Sequence, residues 1–314
     1  MRDIVLLFPG QGSQAPGMGQ DLVNSYPAAR AVFAAAEETL GIPLSQLCFA
    51  GPADELMLTM NAQPALLTHG AAVWAVIRDN IRDGAVVAAA GHSLGEFTAY
   101  HAADAMMLPE AVALVRKRGE LMYDAGVRRP GAMAAILGDM DLSGDELCAL
   151  AATDGVVVPA NFNCPGQLVI SGEVACVERA MVLAKEHGAK RAIRLNVSGA
   201  FHSPLLADAA GGLAKSLDLA HLADPRFPVY ANVNGQPVTD AALARRLLVE
   251  QLTAPVQWTR EIQAIAALHP DALYVEMGPG SVLKGLVKKI APSLSVVTCG
   301  TAAEVESLLA LVNT

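Results

Sequence analysis

At 314 residues the chain is long enough for one large domain or two, with ample core. A hydrophobic content of 53 % with only 17 % charged residues excludes a disordered chain and suits a compact, Ala-rich α/β protein. The formal net charge of −9 argues against general nucleic-acid binding, which needs a basic face, and no apolar run reaches the roughly 18 residues that cross a bilayer.

In chain order, Ile4 to Phe8 reads as a buried first strand, too short and too soon interrupted by Pro9-Gly10 to be a signal peptide. Pro9 to Gln14 is then a Gly-rich loop beyond the strand's C-terminal end, where open α/β sheets place their sites. It has neither the Gly-Lys-Ser/Thr of a P-loop nor GxGxxG. Ala28 to Leu40 and Pro64 to Arg82 read as core helices. Ala85 to Ala90 is a short apolar strand running into Gly91-His92-Ser93-Leu94-Gly95-Glu96 and a following helix. Gly-x-Ser-x-Gly between strand and helix is the nucleophile-elbow pattern. Its glycines permit a tight turn that exposes the Ser93 hydroxyl, and the N–H of Leu94 opens a helix where a developing oxyanion is favoured. Gln11, on the first loop, is placed to supply a second oxyanion donor.

Pro109 to Ala125 is a helix with Ala113, Leu114, Leu121 and Met122 as its apolar stripe. Of Arg116, Lys117 and Arg118, two are expected in solvent, while Arg118 lies one turn from both Leu114 and Met122 and is the one able to point inward. From 128 to 197 the character changes. Ala132 to Leu137, Val156 to Phe162, Gln167 to Ser171 and Ala189 to Leu195 read as strands. The helices between them are one opened by the Ser143-x-x-Glu146 capping box and Glu173 to His187. That order is βαββαβ, a ferredoxin-like subdomain inserted into a larger core of 1–127 and 198–314. Beyond it, Leu205 to Leu217, Leu243 to Leu252 and Ser281 to Ile290 read as helices, and Val229 to Asn234 and Ala272 to Met277 as strands. A nucleophilic serine needs a base, and His202, in the loop Ser198 to Pro204, is the best-placed imidazole. His92 flanks Ser93 but points away from it, which suits a supporting place in the substrate site. The five cysteines are odd in number, scattered and without CxxC, so a reduced cytosolic protein without a zinc site is expected.

Several stretches then converge in order: FPGQGSQ at 8–14, QPALLT at 63–68, GHSLGE at 91–96, RKRGELM at 116–122, NFNCPGQ at 161–167, AFHS at 200–203, PVQW at 255–258 and EMGPG at 276–280. Over essentially the whole length the chain resembles the malonyl-CoA:acyl-carrier-protein transacylases of fatty-acid synthesis and the acyltransferases of polyketide synthases. The resemblance implies an α/β-hydrolase-like core with a parallel sheet plus the ferredoxin-like insertion. It implies Ser93 as the malonyl-carrying nucleophile, His202 as general base and acid, and Gln11 and Leu94 as oxyanion donors. Arg118 is implied to hold the malonyl carboxylate, Gln251 to orient His202 through its main-chain carbonyl, and Asn161 and Asn163 to line the cleft. Its partners would be malonyl-CoA and an acyl carrier protein, which brings the phosphopantetheine, so no cofactor of the enzyme's own is implied. A monomer is expected. Ala-Phe-His at 200–202 is nearer to malonyl-selective polyketide acyltransferases than the Pro-Ser-His more usual in fatty-acid enzymes, which leaves the pathway open. Trans-acting polyketide acyltransferase, malonate decarboxylase subunit and, less well matched because of Arg118, acyl hydrolase stand as alternatives. Phe201, beside His202, is expected to crowd a branched acyl group. Carrier proteins are acidic, and Lys284, Lys288 and Lys289, with Lys190, Arg191 and Arg194 opposite, are the candidate docking patches.

Overall fold

Ile4–Phe8 (β1) is five apolar residues, all buried, as expected of a strand covered on both faces. Alternate residues enter different cores: Ile4, Leu6 and Phe8 pack on one side, Val5 and Leu7 on the other. In the computed structural model of the chain, which describes residues 2–312, nine further strands follow. They are β2 (Val86–Gly91), β3 (Gly131–Leu137), β4 (Val157–Cys164), β5 (Gln167–Glu173) and β6 (Arg191–Arg194). The last four are β7 (Val229–Tyr230), β8 (Pro237–Val238), β9 (Leu273–Glu276) and β10 (Ser295–Thr298). Six of them form one sheet in the order β10-β9-β1-β2-β7-β8, parallel except for β8 against β7. The sheet and the helices on its two faces make the α/β-hydrolase-like core.

The other four strands pair antiparallel in the order β4-β5-β3-β6, with helices Gly144–Ala151 and Val174–Glu186 in the connections. This is the ferredoxin-like arrangement. The alternation of β3 divides its side chains between two cores. Ala132, Ala134 and Ile136 face the small sheet's own helices, while Met133 and Ala135 join the main core. β4 is also stitched to the core, because Val256 N donates to Ala160 O and Phe162 N to Val256 O. The Ser143–Glu146 capping box forms as its sequence spacing predicts.

Two close approaches set the site. At the elbow, His92 N donates to Phe8 O at 2.9 Å, and a Cβ on Gly95 would lie 2.1 Å from that same carbonyl oxygen. The turn is thereby clamped to the end of β1, which Gly95 alone permits. Helix Leu108–Arg128 meanwhile crosses helix Thr59–Ile77 at Gly119, where a Cβ would stand 2.6 Å from Met60 Cα. That crossing turns the neighbouring Arg118 into the interior.

Three expectations need correction. The second core helix begins at Thr59, with Pro64 inside it rather than at its start. Proline leaves the carbonyl four residues back without its helical donor, and Arg116 Nη1 takes up Met60 O at 3.2 Å. Arg116 is thus half-buried rather than solvated. On its own helix Ala113 is exposed and Leu121 only half-buried, while Leu114 and Met122 are buried as expected and are joined by Val115, Arg118 and Gly119. Finally, the strand expected over 229–234 stops at Tyr230 and turns back through Gly235 into β8. The Asn232 N–H goes to the Glu96 carboxylate, so it is lost to any ladder.

Gly95→Ala should cost about 3 kcal/mol in urea unfolding by overpacking against Phe8. Gly285→Ala, in helix Val282–Ile290 with open space around its Cβ, should be neutral or stabilise by roughly 0.4–1 kcal/mol. Equal midpoints for the two variants would contradict the clamp.

Candidate active site

Ser93 has φ 52° and ψ −106°, a conformation that L-residues rarely adopt, and it projects its hydroxyl from the end of β2. His202, also at positive φ, brings Nε2 to 2.7 Å from Ser93 Oγ. Its Nδ1 lies 2.8 Å from the Gln251 carbonyl oxygen. A carbonyl only accepts, so Nδ1 carries the proton and Nε2 is left to accept from the serine hydroxyl. The imidazole is therefore held as a base by a backbone carbonyl, in the place where a triad has a carboxylate.

Arg118 is 1 % exposed and lies within the same bowl, with Nη2 at 3.1 Å from Ser93 Oγ. Neutral amides hold it: Nη1 donates to Gln63 Oε1 at 2.8 Å and Nη2 to Gln251 Oε1 at 2.7 Å. Among the described residues no carboxylate pairs with it, and its buried Nε–H has no acceptor. The Phe97 ring, 5.5 Å away, covers one face of the guanidinium. Gln11 and Leu94, the two residues expected to donate to an oxyanion, both line the bowl that holds Ser93.

The bowl, about 120 Å³, is completed by Met122, Met133, Leu195, Val197, Phe201 and Asn161. Asn163, two residues along β4, binds His92 Nε2 at 2.8 Å, so His92 supports the site by holding the cleft strand and its flank carries the nucleophile. A larger cleft of about 480 Å³, between β4 and the helix Trp258–Leu268, shares no lining residue with this bowl and contains none of the groups just described. Lys284, Lys288 and Lys289 stand on helix Val282–Ile290 outside the bowl, the last two exposed. Arg194 pairs with Glu178 at 2.9 Å, while Lys190 and Arg191 are exposed.

Four residues of the site escape sequence reasoning. Gln63 and Glu96 lie inside the QPALLT and GHSLGE motifs, so the signal was present without a role attached to it. Asn232 and Glu261 sit in no quoted motif. Asn232 Oδ1 accepts from Ser93 N at 2.7 Å, and Asn232 Nδ2 donates to Gly91 O and to Glu261. The elbow is thus pinned from behind by one asparagine.

Burial, then the Arg118 cation, then His92 push the His202 pKa down to about 3, against the pull of the Gln251 carbonyl. The base is therefore neutral throughout the neutral pH range. Burial lowers Arg118 to about 10, which leaves it charged. The arrangement is a nucleophile, a neutral base and a dry cation within one bowl. That is machinery for acyl transfer with selection for an anionic acyl group.

The family model "Acyl transferase domain" matches residues 5–309. The chain belongs to the acyl transferase domain family. This acyltransferase is 46 % identical over 301 residues to the malonyl CoA-acyl carrier protein transacylase of Bacillus subtilis (strain 168), covering 95 % of the chain and 93 % of the relative. The crystal structure of malonyl-CoA:acyl carrier protein transacylase from Xanthomonas oryzae pv. oryzae matches with TM-score 0.94 at 42 % identity, over 99 % of this chain and 98 % of that one. A malonyl-transacylase solved in complex with a type II polyketide synthase acyl-carrier protein matches with TM-score 0.93 at 39 % identity, over 98 % and 99 %.

In the acyltransferase, His202 should remain neutral when the solution is brought to about pH 5 in an NMR titration of its ring nitrogens. Arg118→Ala, by removing one of the depressing charges, should raise the midpoint. A midpoint at or above 6.5 in the parent protein would contradict this electrostatic account.

Proposed function

We propose that this acyltransferase moves a malonyl group from CoA to the phosphopantetheine thiol of an acyl carrier protein. The observation that carries the reading is Arg118, a buried cation without a carboxylate, 3.1 Å from the nucleophile. Ser93 Oγ attacks the thioester carbonyl carbon as its proton passes to His202 Nε2. The tetrahedral oxyanion lies against the N–H groups of Gln11 and Leu94. Collapse breaks the C–S bond, and the imidazolium returns the proton to the departing CoA sulfur. The carrier thiol then attacks the malonyl-serine ester by the same steps reversed, giving ping-pong kinetics.

Arg118 binds the malonyl carboxylate through the two-pronged, charge-assisted pairing that guanidinium geometry favours. Acetyl leaves that cation unpaired. Phe201, buried beside His202, restricts room at the α-carbon. Asn161, Asn163 and His92 shape the cleft through which the thioester enters. The Gln251 carbonyl supports His202 in both half-reactions.

The chemistry so described needs no metal or cofactor of the enzyme's own. Residues 128–197 act as an inserted subdomain that roofs the core of 1–127 and 198–314, and the cleft between them takes the pantetheine arm. Lys284, Lys288 and Lys289, with Lys190 and Arg191 opposite, steer the acidic carrier protein. Among the described residues no helix is long and apolar enough to cross a membrane, and all five cysteines are free thiols, which supports a reducing, cytoplasmic setting.

Incubation with malonyl-CoA should add one malonyl group to the intact protein, on Ser93, and none to Ser93→Ala. Arg118→Ala should lose malonyl transfer by roughly 30- to 4000-fold, the weight of a lost buried charge partner, while acetyl transfer holds or rises. If both acyl groups fall by one factor, Arg118 is structural and the malonyl reading fails.

A further inference from the structure

Arg118 has no carboxylate in contact, yet one stands directly behind its amide partner. Glu96, fully buried on helix Leu94–Ala102, accepts from Gln251 Nε2 at 2.7 Å and from Asn232 N at 3.1 Å through the same oxygen. Gln251 Nε2 also donates to Ser93 O at 2.9 Å and faces Asn232 Oδ1 at 3.2 Å. With three acceptors around that nitrogen the amide has only one orientation, so Oε1 must face Arg118. Glu96, Gln251 and Arg118 thus form a chain: carboxylate, amide, guanidinium.

The second buried carboxylate of the region, Glu261, ends at Asn232 and makes no hydrogen bond to Gln251 or Arg118 among the described residues. Glu96 is one amide away from the cation, whereas Glu261 reaches it only through two, Asn232 and then Gln251. A direct Glu–Arg pair would occupy the fork of donors that a substrate carboxylate requires. Interposing an amide keeps the negative charge near while engaging the guanidinium only at Nη2, so that its Nε–H stays without an acceptor.

We propose that Glu96 is a positioning residue for carboxylate recognition: through the Gln251 amide it gives Arg118 a fixed remote counter-charge, which moderates how tightly the enzyme holds the malonyl carboxylate. This rests on the reading of Arg118 as the malonyl-binding group. Burial lifts the Glu96 carboxyl to about 7, against the hydrogen bonds from Gln251 and Asn232 and the nearby Arg118 cation, so Glu96 carries its full charge only above that pH; that charge in turn raises the Arg118 pKa. The value of such moderation lies in turnover. A transferase must release in its second half-reaction the carboxylate it gripped in the first, and a lone buried cation would hold it too firmly.

The test is the equilibrium of Ser93 acylation at about pH 8, where Glu96 is ionised, read by intact-protein mass spectrometry at fixed malonyl-CoA:CoA and acetyl-CoA:CoA ratios. Glu96→Gln keeps the size and one acceptor oxygen, which suffices because only one oxygen of Glu96 is engaged. Its malonyl-to-acetyl equilibrium ratio should rise about tenfold, the scale of one charge pair at intermediate dielectric. KM for malonyl-CoA and turnover to carrier protein should fall together. Glu261→Gln should shift both acyl groups alike. Glu96→Asp, which withdraws the charge by one methylene, should move the ratio the same way by about two- to threefold, and decides the matter if Glu96→Gln does not fold. An unchanged or lowered ratio in the folded variants overturns the proposal. Failure of the parent protein to malonylate Ser93 at all would instead overturn the transfer reading itself.

Discussion

The site depends on one electrostatic constraint, a guanidinium taken out of water and given only neutral oxygens, of two amides and the Ser93 hydroxyl, to hold. Moving a cation into a protein interior is costly unless it is paired, and Arg118 is paired with neutral oxygens from Gln63 and Gln251. The arrangement leaves the cation beside Ser93 without a directly bonded carboxylate, and its charge adds to the larger effect of burial that keeps His202 neutral. In the proposed reaction one buried cation would therefore do two things, favour an anionic acyl group and, with burial, keep the base deprotonated. Gln251 joins them physically, with its carbonyl on His202 and its side chain on Arg118.

The fold serves that constraint by holding five separate chain segments against one another. β1 ends under the elbow, the crossing at Gly119 turns Arg118 inward, and the return of the chain after β7 brings Asn232 behind Ser93. The small sheet is bonded to the core along Ala160–Phe162, so a fixed strand brings Asn161 to the bowl and Asn163 to His92. Strain at Ser93 and His202 persists because these contacts over-determine both residues.

Much of this was legible in the sequence where local pattern carries it. The elbow shows in two glycines of fixed spacing, β1 in an unbroken apolar run, and the small sheet in its strand–helix alternation. The inward turn of Arg118 follows from its spacing to Leu114 and Met122, although the full stripe needed the Gly119 crossing to be seen. Less was legible where long-range partners decide. Asn232 lies in a β-like stretch, and its true role depends on Glu96, 136 residues away. Gln251 was reachable by its spacing from the PVQW segment alone. The helices Gln20–Ser25, Leu44–Ala50 and Ala53–Met57 were unanticipated because at 6, 7 and 5 residues they are too short for a helical apolar period to show; packing creates them.

The central claim is that Arg118 receives the carboxylate of an acyl group carried on Ser93. A crystal structure of the malonylated protein tests it most directly. The account predicts both carboxylate oxygens within about 2.7–2.9 Å of Arg118 nitrogens, as charge-assisted bonds require, with the ester carbonyl oxygen facing the N–H groups of Gln11 and Leu94. A carboxylate turned out to solvent, with Arg118 still bonded only to Gln63, Gln251 and Ser93, would contradict it.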